Sequence, residues 1–391
     1  MSKLKDYCQI IPGYAFKSSD FDKGYAKVIK IADICTHIDC SQLGTVCPTP
    51  KNLEKYKVQN GDFIMSMTSA TQIGRIGVVE NVVCDTYINQ RLCKFSNFSI
   101  DVEPLYIYYA ISLPQFNKYI RDSADSKSLQ QNISHYTIGE YSIVLPPITS
   151  QKRIVKTLSS IDSKISNNNA INSELESLAK TIYDYWFLQF EFPNEEGLPY
   201  KSSGGRMVWS EELKREIPEG WGAGTFKDFI HIGNGKDHKN LKDGTIPVYG
   251  SGGVMRHVNE SIYEGESVLL PRKGTLNNVM YVDEAFWTVD TMYYSIMKIP
   301  DSALYMYYSA KLYDYEKLDS GTGVPSMTAS LLYSLKIVVP TERILKKFHH
   351  IVKLFFDTIH KNEKESSELA ALRDWLLPML MNGQVGFKDT K

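Results

Sequence analysis

"NSELESLAKTIYDYWF" (residues 172–187) and "SSELAALRDWLLPMLM" (366–381) are two helix-like stretches that lie 194 residues apart in the chain. When the same offset is carried along both stretches and upstream of them, apolar residues fall on apolar residues in steps of three and four. Such steps are typical of one face of a helix or of a coiled-coil seam. The matched pairs are Ile154 and Phe348, Leu158 and Val352, Ile161 and Phe355, Ile165 and Ile359, Asn168 and Asn362, Glu174 and Glu368, Leu175 and Leu369, Leu178 and Leu372, and Ile182 and Leu376.

The repeat extends into the sequence before each helix. "LKDYCQIIPGYA" (4–15) resembles "FKDFIHIGNGKD" (226–237), and "GDFIMSMTSATQIGRIGVVE" (61–80) resembles "GESVLLPRKGTLNNVMYVDE" (265–284). "YSIVLPP" (141–147) resembles "YSLKIVVP" (333–340). Each half therefore consists of a strand-rich domain, then proline, then a long amphipathic helix.

The length of the chain agrees with this organisation, because 391 residues exceed what one hydrophobic core usually serves. We expect an α+β fold, in which two similar mostly-β domains with embedded helices are joined by two long antiparallel coiled-coil helices. The embedded helices are predicted at 103–120 and 302–318. The expected segments are a first domain at 1–148, a central helix at 149–192, a linker at 193–220, a second domain at 221–341 and a C-terminal helix at 342–386.

The two long helices carry matching seams, so packing them on each other is the simplest way to bury both. If they lie antiparallel, they hold two similar binding heads at a fixed separation. Asn168 and Asn362 would then fix the register, because a polar residue in an apolar seam specifies its partner. The alternative is that each asparagine points to solvent. The aromatic cluster at the end of the first helix is interpreted mainly as core packing; it comprises Tyr183, Tyr185, Trp186, Phe187, Phe190 and Phe192.

Composition narrows the class of protein. The apolar share of 43% and the charged share of 23% are ordinary for a globular protein. No run of 18 apolar residues and no signal-peptide pattern occurs, so we expect a cytoplasmic protein with no membrane partner. All six cysteines lie in the first quarter of the chain. Cys35, His37, Cys40 and Cys47 lack the C-x₂-C spacing of a zinc knuckle, so reduced, partly buried thiols are favoured over a metal site.

Three stretches resemble the specificity (S) subunit of type I restriction–modification systems. "LPPITSQKRIVKTLSSIDSKI" (145–165) resembles that family's junction between a target recognition domain and its helix. The segment 178–221, which begins "LAKTIYDYWF", resembles the family's central conserved region. "SKSLQQNIS" (126–134) resembles the polar loop before the final strand of a recognition domain. The resemblance covers essentially the whole chain, and the central segment is its most specific part.

This resemblance implies that each mostly-β domain is a target recognition domain that reads one half of a bipartite site in double-stranded DNA. The helices would set the spacing of the half-sites and dock two methyltransferase (M) subunits. Restriction (R) subunits would join them to form the nuclease. The chain itself would have no catalytic residue, cofactor or metal.

The residues agree with a non-catalytic role. "LPPI" (145–148) lacks the amide or acid and the aromatic of the N/D-P-P-Y/F loop with which adenine methyltransferases grip a base. "GNGKD" (233–237) is too short for a phosphate-binding G-x-x-x-x-G-K-S/T loop. The net charge of −1 is unusual for a chain that binds DNA alone, so either this chain does not bind nucleic acid or its basic groups are local and partner chains supply the rest. The resemblance favours the second alternative, because methyltransferase subunits could bind the phosphates.

Polar loops beside predicted strands supply the candidate DNA-binding residues, because Arg, Lys, Asn, Gln, Ser and Thr are the side chains that read base edges. "INQRL" (88–92) is a weaker additional candidate, and any single residue could instead belong to a solvated loop. The second domain carries fewer amides than the family pattern. The candidates are Thr68, Ser69, Thr71, Gln72, Arg75, Lys127, Ser128, Gln130, Gln131 and Asn132 in the first domain, and Arg272, Lys273, Thr275, Asn277, Asn278, Thr322 and Ser326 in the second.

Three other functions are compatible with parts of the sequence. A DNA-binding assembly module of the same repeat architecture that acts outside restriction would lack methyltransferase partners. A standalone enzyme with a diverged site would methylate DNA by itself. A structural coiled-coil protein would give no reason for loops rich in Gln, Asn, Thr and Arg.

Overall fold

The computed structural model describes residues 2–48, 53–69, 71–124, 131–318 and 326–386, without the side chains of residues 22 and 23. The chain divides into two units. Unit 1 combines Met1–Ser166 with Ser366–Lys391, and unit 2 is the continuous stretch Asn167–Glu365. Each unit holds strands, short helices and part of both long helices. The predicted α+β class is therefore confirmed.

Besides the end of the second long helix, the described residues of unit 1 hold ten strands, three short α-helices and the start of the first long helix. In chain order these are β1 (Ser2–Lys3), β2 (Gln9–Pro12), β3 (Phe21–Ile29), β4 (His37–Asp39), β5 (Thr45–Val46), β6 (Phe63–Ser66), β7 (Ile76–Glu80), β8 (Thr86–Ile88), β9 (Leu92–Ser96), α1 (Pro104–Ile111), α2 (Pro114–Ser123), α3 (His135–Gly139), β10 (Ser142–Ile143) and α4 (Ile148–Tyr183).

Unit 2 has two initial strands without a counterpart among the described residues of unit 1, and it follows a similar order from Gly222 onward. Its elements are β11 (Met207–Ser210), β12 (Arg215–Pro218), β13 (Gly222–Thr225), α5 (Phe226–Phe229), β14 (Ile230–Asn234), β15 (Asp243–Gly250), β16 (Gly253–Val258), β17 (Tyr263–Pro271), β18 (Met280–Thr288), β19 (Met292–Met297), α6 (Ala303–Ala310), α7 (Ala329–Ser334), β20 (Lys336–Val339) and α8 (Glu342–Met381).

The sheets show that the repeat is structural. The order β2-β9-β6-β7 in unit 1 matches the order β14-β19-β17-β18 in unit 2. β1 pairs antiparallel with β10 as β13 pairs with β20. In unit 1, β3 pairs in parallel with β8, and in unit 2, β15 pairs in parallel with the end of β18. Both units therefore present the same strand ends to the loops that follow.

Each core sits between the sheet and the helices. The first embedded helix, predicted as one, is broken before Pro114 into α1 and α2, since a proline ring disfavours the helical conformation in the residue before it. Tyr106 and Tyr305 are buried at equivalent places and donate to the carbonyls of Val144 (3.3 Å) and Val338 (2.6 Å). In each unit, this hydrogen bond joins the embedded helix to the strand segment that precedes the long helix. It also gives the buried tyrosine hydroxyl a partner.

The long helices α4 and α8 have 36 and 40 residues, or about 54 and 60 Å at 1.5 Å per residue. In unit 2, late positions of α4 meet early positions of α8: the rings of Tyr183 and Phe348 lie 6.1 Å apart. In unit 1, the repeat-equivalent Leu377 and Ile154 share one core. The contacts run in opposite directions along the two helices, which confirms the predicted antiparallel pair.

Asparagines form a polar layer between the helices inside unit 2. Asn168 is 1% exposed and donates from Nδ2 to Glu365 Oε2 at 2.9 Å. Asn362 Nδ2 donates to Asn172 Oδ1 at 2.8 Å. The alternative in which Asn168 points to solvent is wrong, and the predicted pairing of Asn168 with Asn362 is present, since Asn168 Nδ2 also lies 3.4 Å from the Asn362 carbonyl oxygen.

The predicted linker and the aromatic cluster both contribute to the core of unit 2. The predicted linker at 193–220 holds the hairpin of β11 and β12, and Ile217 packs in the unit 2 core. The aromatic cluster after α4 packs in that same core except for Tyr185, whose ring is 40% exposed. None of the helices in the described part of the chain is long and apolar enough to cross a membrane.

Candidate nucleic-acid interface

Three loops of unit 1 meet at the exit of β6. They are the residues that follow β6 (67–69), the turn between β8 and β9 (89–92) and the segment before α3 (131–133), and we call them the loop junction of unit 1. The Met67 N–H donates to the Arg91 carbonyl, and the Ile133 N–H donates to the Met67 carbonyl, both at 2.9 Å. Thr68 and Asn132 form an antiparallel bridge. The backbone of all three loops is thus fixed by direct hydrogen bonds.

Unit 2 builds the same loop junction from residues 272–274, 289–292 and 326–327. The Arg272 N–H donates to the Thr291 carbonyl, and the Met327 N–H donates to the Arg272 carbonyl, again at 2.9 Å. Lys273 and Ser326 form the bridge. The turns agree as well, because Leu92 N–H to Asn89 O and Met292 N–H to Val289 O are both 3.0 Å.

A fourth segment joins each loop junction: the glycine that follows β2 in unit 1 and the glycine that follows β14 in unit 2. The N–H of Gly13 donates to Leu92 O at 2.8 Å, and that of Gly235 donates to Met292 O at 3.2 Å. A Cβ on Gly13 would lie 2.1 Å from Asn89 O, and one on Gly235 would lie 1.9 Å from Val289 O. Only glycine allows the two backbones to approach so closely.

The backbone after the bridge is also alike. Ser69 has a φ of 88°, and its counterpart Gly274 has a φ of 87°. A non-glycine residue in this region is uncommon and often occurs at functional loops. The Ser69 N–H donates to the Gln131 carbonyl at 3.1 Å, which connects this serine to the third loop of the junction. The two units therefore share one scaffold and differ in the side chains that it carries.

Thr68, Asn132 and Arg91 form a side-chain cluster on the unit 1 junction. The buried Thr68 hydroxyl donates to Asn132 Oδ1 at 2.5 Å. Arg91 Nη1 lies 3.4 Å from both Thr68 Oγ1 and Asn132 Oδ1. Arg91 and Asn132 are exposed, whereas Thr68 is inside. Thr68 therefore holds the exposed pair in place from beneath.

The remaining unit 1 candidates line a cleft of about 780 Å³ beside the junction. Arg75 and Thr71 are exposed there, and Gln72 is half-buried. The Oε1 atom of Gln72 is buried and accepts no hydrogen bond from any described residue. Helix α2 completes the cleft with three side chains outside the predicted set: Asn117, Lys118 and Arg121. Their spacing of three and four residues, which places them on the polar face of an amphipathic helix, could have indicated them in the sequence.

The unit 2 candidates divide into exposed and structural side chains. Lys273 and Thr275 are exposed. The Arg272 guanidinium lies over the Tyr293 ring at 5.6 Å. The two asparagines fasten the loop, because Asn277 Oδ1 accepts from Tyr315 N at 2.9 Å and Asn278 Nδ2 donates to Ser251 O at 2.7 Å.

Some predicted residues lie elsewhere. Lys127, Ser128, Gln130 and Thr322 fall outside the described residues. Gln131 and Ser326 lie in the two junctions through their backbones.

The cysteine-rich region of unit 1 forms no metal cluster within the described stretches, where no group of three or more His, Cys, Asp or Glu side chains is suitably arranged. Cys35 Sγ contacts the His37 carbonyl at 3.0 Å, and His37 Nδ1 pairs with Glu80 Oε1 at 2.7 Å. All six cysteines are unpaired thiols. Burial raises the pKa of Cys8 to about 12 and that of Cys40 to about 11, so both stay protonated at neutral pH.

Comparison with known proteins gives consistent matches. The family model described as "Type I restriction modification DNA specificity domain" matches residues 1–177 and 218–370. The chain is 25% identical over 359 residues to the type I restriction enzyme MjaIX specificity subunit of Methanocaldococcus jannaschii, which covers 83% of this chain and 78% of that protein. It is 19% identical over 404 residues to the HindI specificity subunit of Haemophilus influenzae, with coverage of 85% and 88%.

A solved structure shares the fold. The S subunit of a type I restriction–modification system from M. genitalium superposes with a TM-score of 0.63 at 17% identity, over 100% of this chain and 96% of that one. The two stretches that the family model matches begin at corresponding points of the two repeats, before β1 and before β13.

Proposed function

Since the chain belongs to the type I restriction–modification DNA specificity family and is the DNA sequence-specificity subunit of such a system, we propose that each unit reads one half of a bipartite target. The observation that carries this proposal is the duplicated loop junction. One hydrogen-bonded backbone occurs twice, with Arg91 and Asn132 on one copy and Thr291 and Ser326 on the other. Equal scaffolds with unequal side chains suit the reading of two different short sequences.

The DNA-facing surface in this proposal comprises the exposed junction residues and the cleft of unit 1. Arg and Lys bind phosphates, the planar fork of Arg suits guanine, and Asn, Gln, Ser and Thr read other base edges. Arg75, Lys118 and Arg121 give the cleft three cations against one acid, Asp122. A local basic surface of this kind resolves the apparent conflict between DNA binding and a net charge of −1.

An exchange of one recognition domain tests the reading of half-sites. Residues 1–148 are replaced by the matching domain of a relative with a known target, and the methylated motif of the host is mapped by long-read sequencing. One half of the motif should change to that of the relative while the other half stays the same. A change in both halves would contradict the proposal.

Methyltransferase and restriction subunits are the general partners of this family, and we propose that two methyltransferase copies dock on the helices. Leu178 in unit 2 is 47% exposed, and Leu372, its repeat equivalent 194 residues later in unit 1, is 44% exposed. Ile171 on α4 and Tyr185 just after its end extend the exposed stripe of Leu178 at seven-residue spacing, and Trp375 extends that of α8. Exposed apolar stripes on helices favour protein partners.

Two equivalent leucines predict two equivalent docking sites for one kind of partner. Leu178→Asp and Leu372→Asp should each remove one methyltransferase copy, which native mass spectrometry of the purified complex would count. Ile100→Asp is the matched control, because Ile100 is fully exposed in a loop outside the helices. Full occupancy in both helix variants would contradict this docking.

The chain is proposed to supply no catalytic group and to act in the cytoplasm. Incubation of the purified chain with duplex DNA and labelled S-adenosylmethionine should give no methylated DNA, whereas adding the methyltransferase subunits should. Methyl transfer by the chain alone would refute the non-catalytic role.

A further inference from the structure

At the junction position of Arg91, the two units place side chains of different charge on the same backbone carbonyl. The carbonyl of Arg91 accepts the Met67 N–H, and in unit 2 the carbonyl of Thr291 accepts the equivalent N–H of Arg272. The turn that carries each residue is closed by the same 3.0 Å hydrogen bond. The side chain of Arg91 thus starts from a rigid backbone, which is the requirement for precise contact with a base.

The guanidinium of Arg91 is held on one side. Among the described residues it makes two side-chain hydrogen bonds, both from Nη1, at 3.4 Å to Thr68 Oγ1 and to Asn132 Oδ1. Nε and Nη2 have no partner among the described residues, and the side chain is exposed. Both supporting groups are neutral, so the positive charge is not compensated within the cluster. A planar donor fork with fixed orientation therefore remains available.

We propose that Arg91 reads a guanine in the half-site bound by unit 1, and that Thr68 and Asn132 position it. This inference rests on the proposed function, because it assigns one base pair to one residue of that interface. Guanine offers two acceptors, O6 and N7, in the major groove, and the arginine fork matches them with two parallel hydrogen bonds. No other base pair offers two adjacent acceptors there.

A phosphate contact is the competing role for an exposed arginine, and the geometry disfavours it. A phosphate can be bound by the point charge of Lys as well as by the fork of Arg, so a phosphate contact does not require a guanidinium of fixed orientation. The hydrogen bonds from Arg91 to Thr68 and Asn132 restrict rotation of the guanidinium. Because both of these side chains are neutral, they add no charge that would attract a phosphate. Arg75, in the cleft beside the junction, makes no side-chain hydrogen bond to any described residue, as suits a phosphate contact.

The test uses the full chain in its complex with methyltransferase subunits. The methylated motif of the wild-type host is mapped first, and duplexes are then made in which each half-site base pair is replaced in turn. Binding is measured by competition for Arg91→Ala, Arg91→Lys, Arg75→Ala and Thr291→Ala. Arg91→Lys keeps the charge and the aliphatic stem but loses the fork, so it remains informative if Arg91→Ala fails to assemble.

For the wild type, replacing the recognised G·C pair should weaken binding by roughly 10- to 100-fold. In Arg91→Ala and Arg91→Lys this penalty should fall to within roughly threefold at that single pair, while the penalties at the other pairs persist. Arg75→Ala should weaken binding to all duplexes alike. Thr291→Ala should leave this pair unaffected.

The assignment is overturned if the relaxed pair is A·T, if Arg91→Lys keeps the full penalty at the G·C pair, or if Arg91→Ala weakens all duplexes equally. The domain exchange described above separates this failure from that of the proposed function. If the exchange alters one half of the motif while Arg91→Lys relaxes no position, the reading of half-sites stands and the guanine assignment falls.

Discussion

The ion pair between Asp162 and Arg373 in unit 1 gives a prediction about stability. Arg373 Nη1 donates to Asp162 Oδ1 at 2.9 Å, and the Tyr109 hydroxyl donates to Asp162 Oδ2 at 2.6 Å. The two charged side chains are only 26% and 16% exposed. Arg373 also contacts Asp374, which is largely exposed. Asp162 thus holds two partly buried donors that have few alternatives.

Replacing Asp162 by leucine should destabilise unit 1 by about 2–3 kcal/mol. Removing one partner of a buried pair costs roughly 3–5 kcal/mol, and we lower that range because Arg373 keeps Asp374 and some contact with water. For a unit of this size, the loss corresponds to a decrease in Tm of roughly 5–10 °C. Urea unfolding followed by circular dichroism would measure it, and the Asp374→Ala variant serves as an exposed control with little effect.

The double variant Asp162→Leu with Arg373→Met should be more stable than Asp162→Leu alone. The positions equivalent to Asp162 and Arg373 in unit 2 are Phe356 and Ala179, so the repeat itself tolerates apolar residues at this contact. A third substitution, Tyr109→Phe, removes the hydroxyl that loses its acceptor. If the double variant loses as much free energy of unfolding as the two single variants together, the two charges are not coupled and the reasoning fails.

Three further outcomes are expected. Gly235→Ala should lower the Tm of unit 2 by roughly 4–8 °C, because its Cβ would meet Val289 O at 1.9 Å; an unchanged Tm by calorimetry would show that the junction gives way easily. Arg75→Ala combined with Arg121→Ala should reduce the slope of log K against log salt by about 2 in the full complex, and an unchanged slope would remove both from the phosphate contacts. Iodoacetamide at pH 8 should modify the exposed Cys35 well before Cys8, whose pKa burial raises to about 12, and peptide mapping that finds the reverse order would contradict this burial.

The helix pair could be predicted from the sequence because its signal is periodic and local. Steps of three and four residues define a seam, and a single offset of 194 relates Asn168 to Asn362 as well as Leu178 to Leu372. A seam of that length must be buried, which leaves few alternatives to a partner helix. The antiparallel contacts of α4 and α8 follow from these few facts.

The loop junction could not be predicted at the level of single residues. An end-to-end alignment of 61–80 with 265–284 places Met67 on Pro271, whereas the hydrogen bonds equate Met67 with Arg272. The segments that follow β6 and β17 are therefore shifted by one residue relative to this alignment. Such a shift in a loop cannot be predicted from a periodic sequence pattern. Residue type also fails to separate roles, since Thr68 and Asn277 look like base readers in the sequence but serve to hold the loops.

The hairpin at Met207–Pro218 was hidden for a different reason. Its surroundings are rich in Gly, Pro, Ser and charge, which is the composition of a connector. Its two strands have four residues each, too few for alternation to stand out. Burial of Ile217 against the core, which the sequence does not reveal, makes the hairpin part of unit 2.

The division of the chain has a consequence for its synthesis. Unit 2 is one continuous stretch, so all of its residues have left the ribosome once position 365 is exposed. Unit 1 consists of two stretches, 1–166 and 366–391, which precede and follow unit 2 in the sequence. Leu377 and Leu380 of the second stretch belong to the core of unit 1. The nascent first domain therefore lacks this part of its core until the whole of unit 2 has been translated. At about 5–20 residues per second, that wait lasts roughly 10–40 seconds.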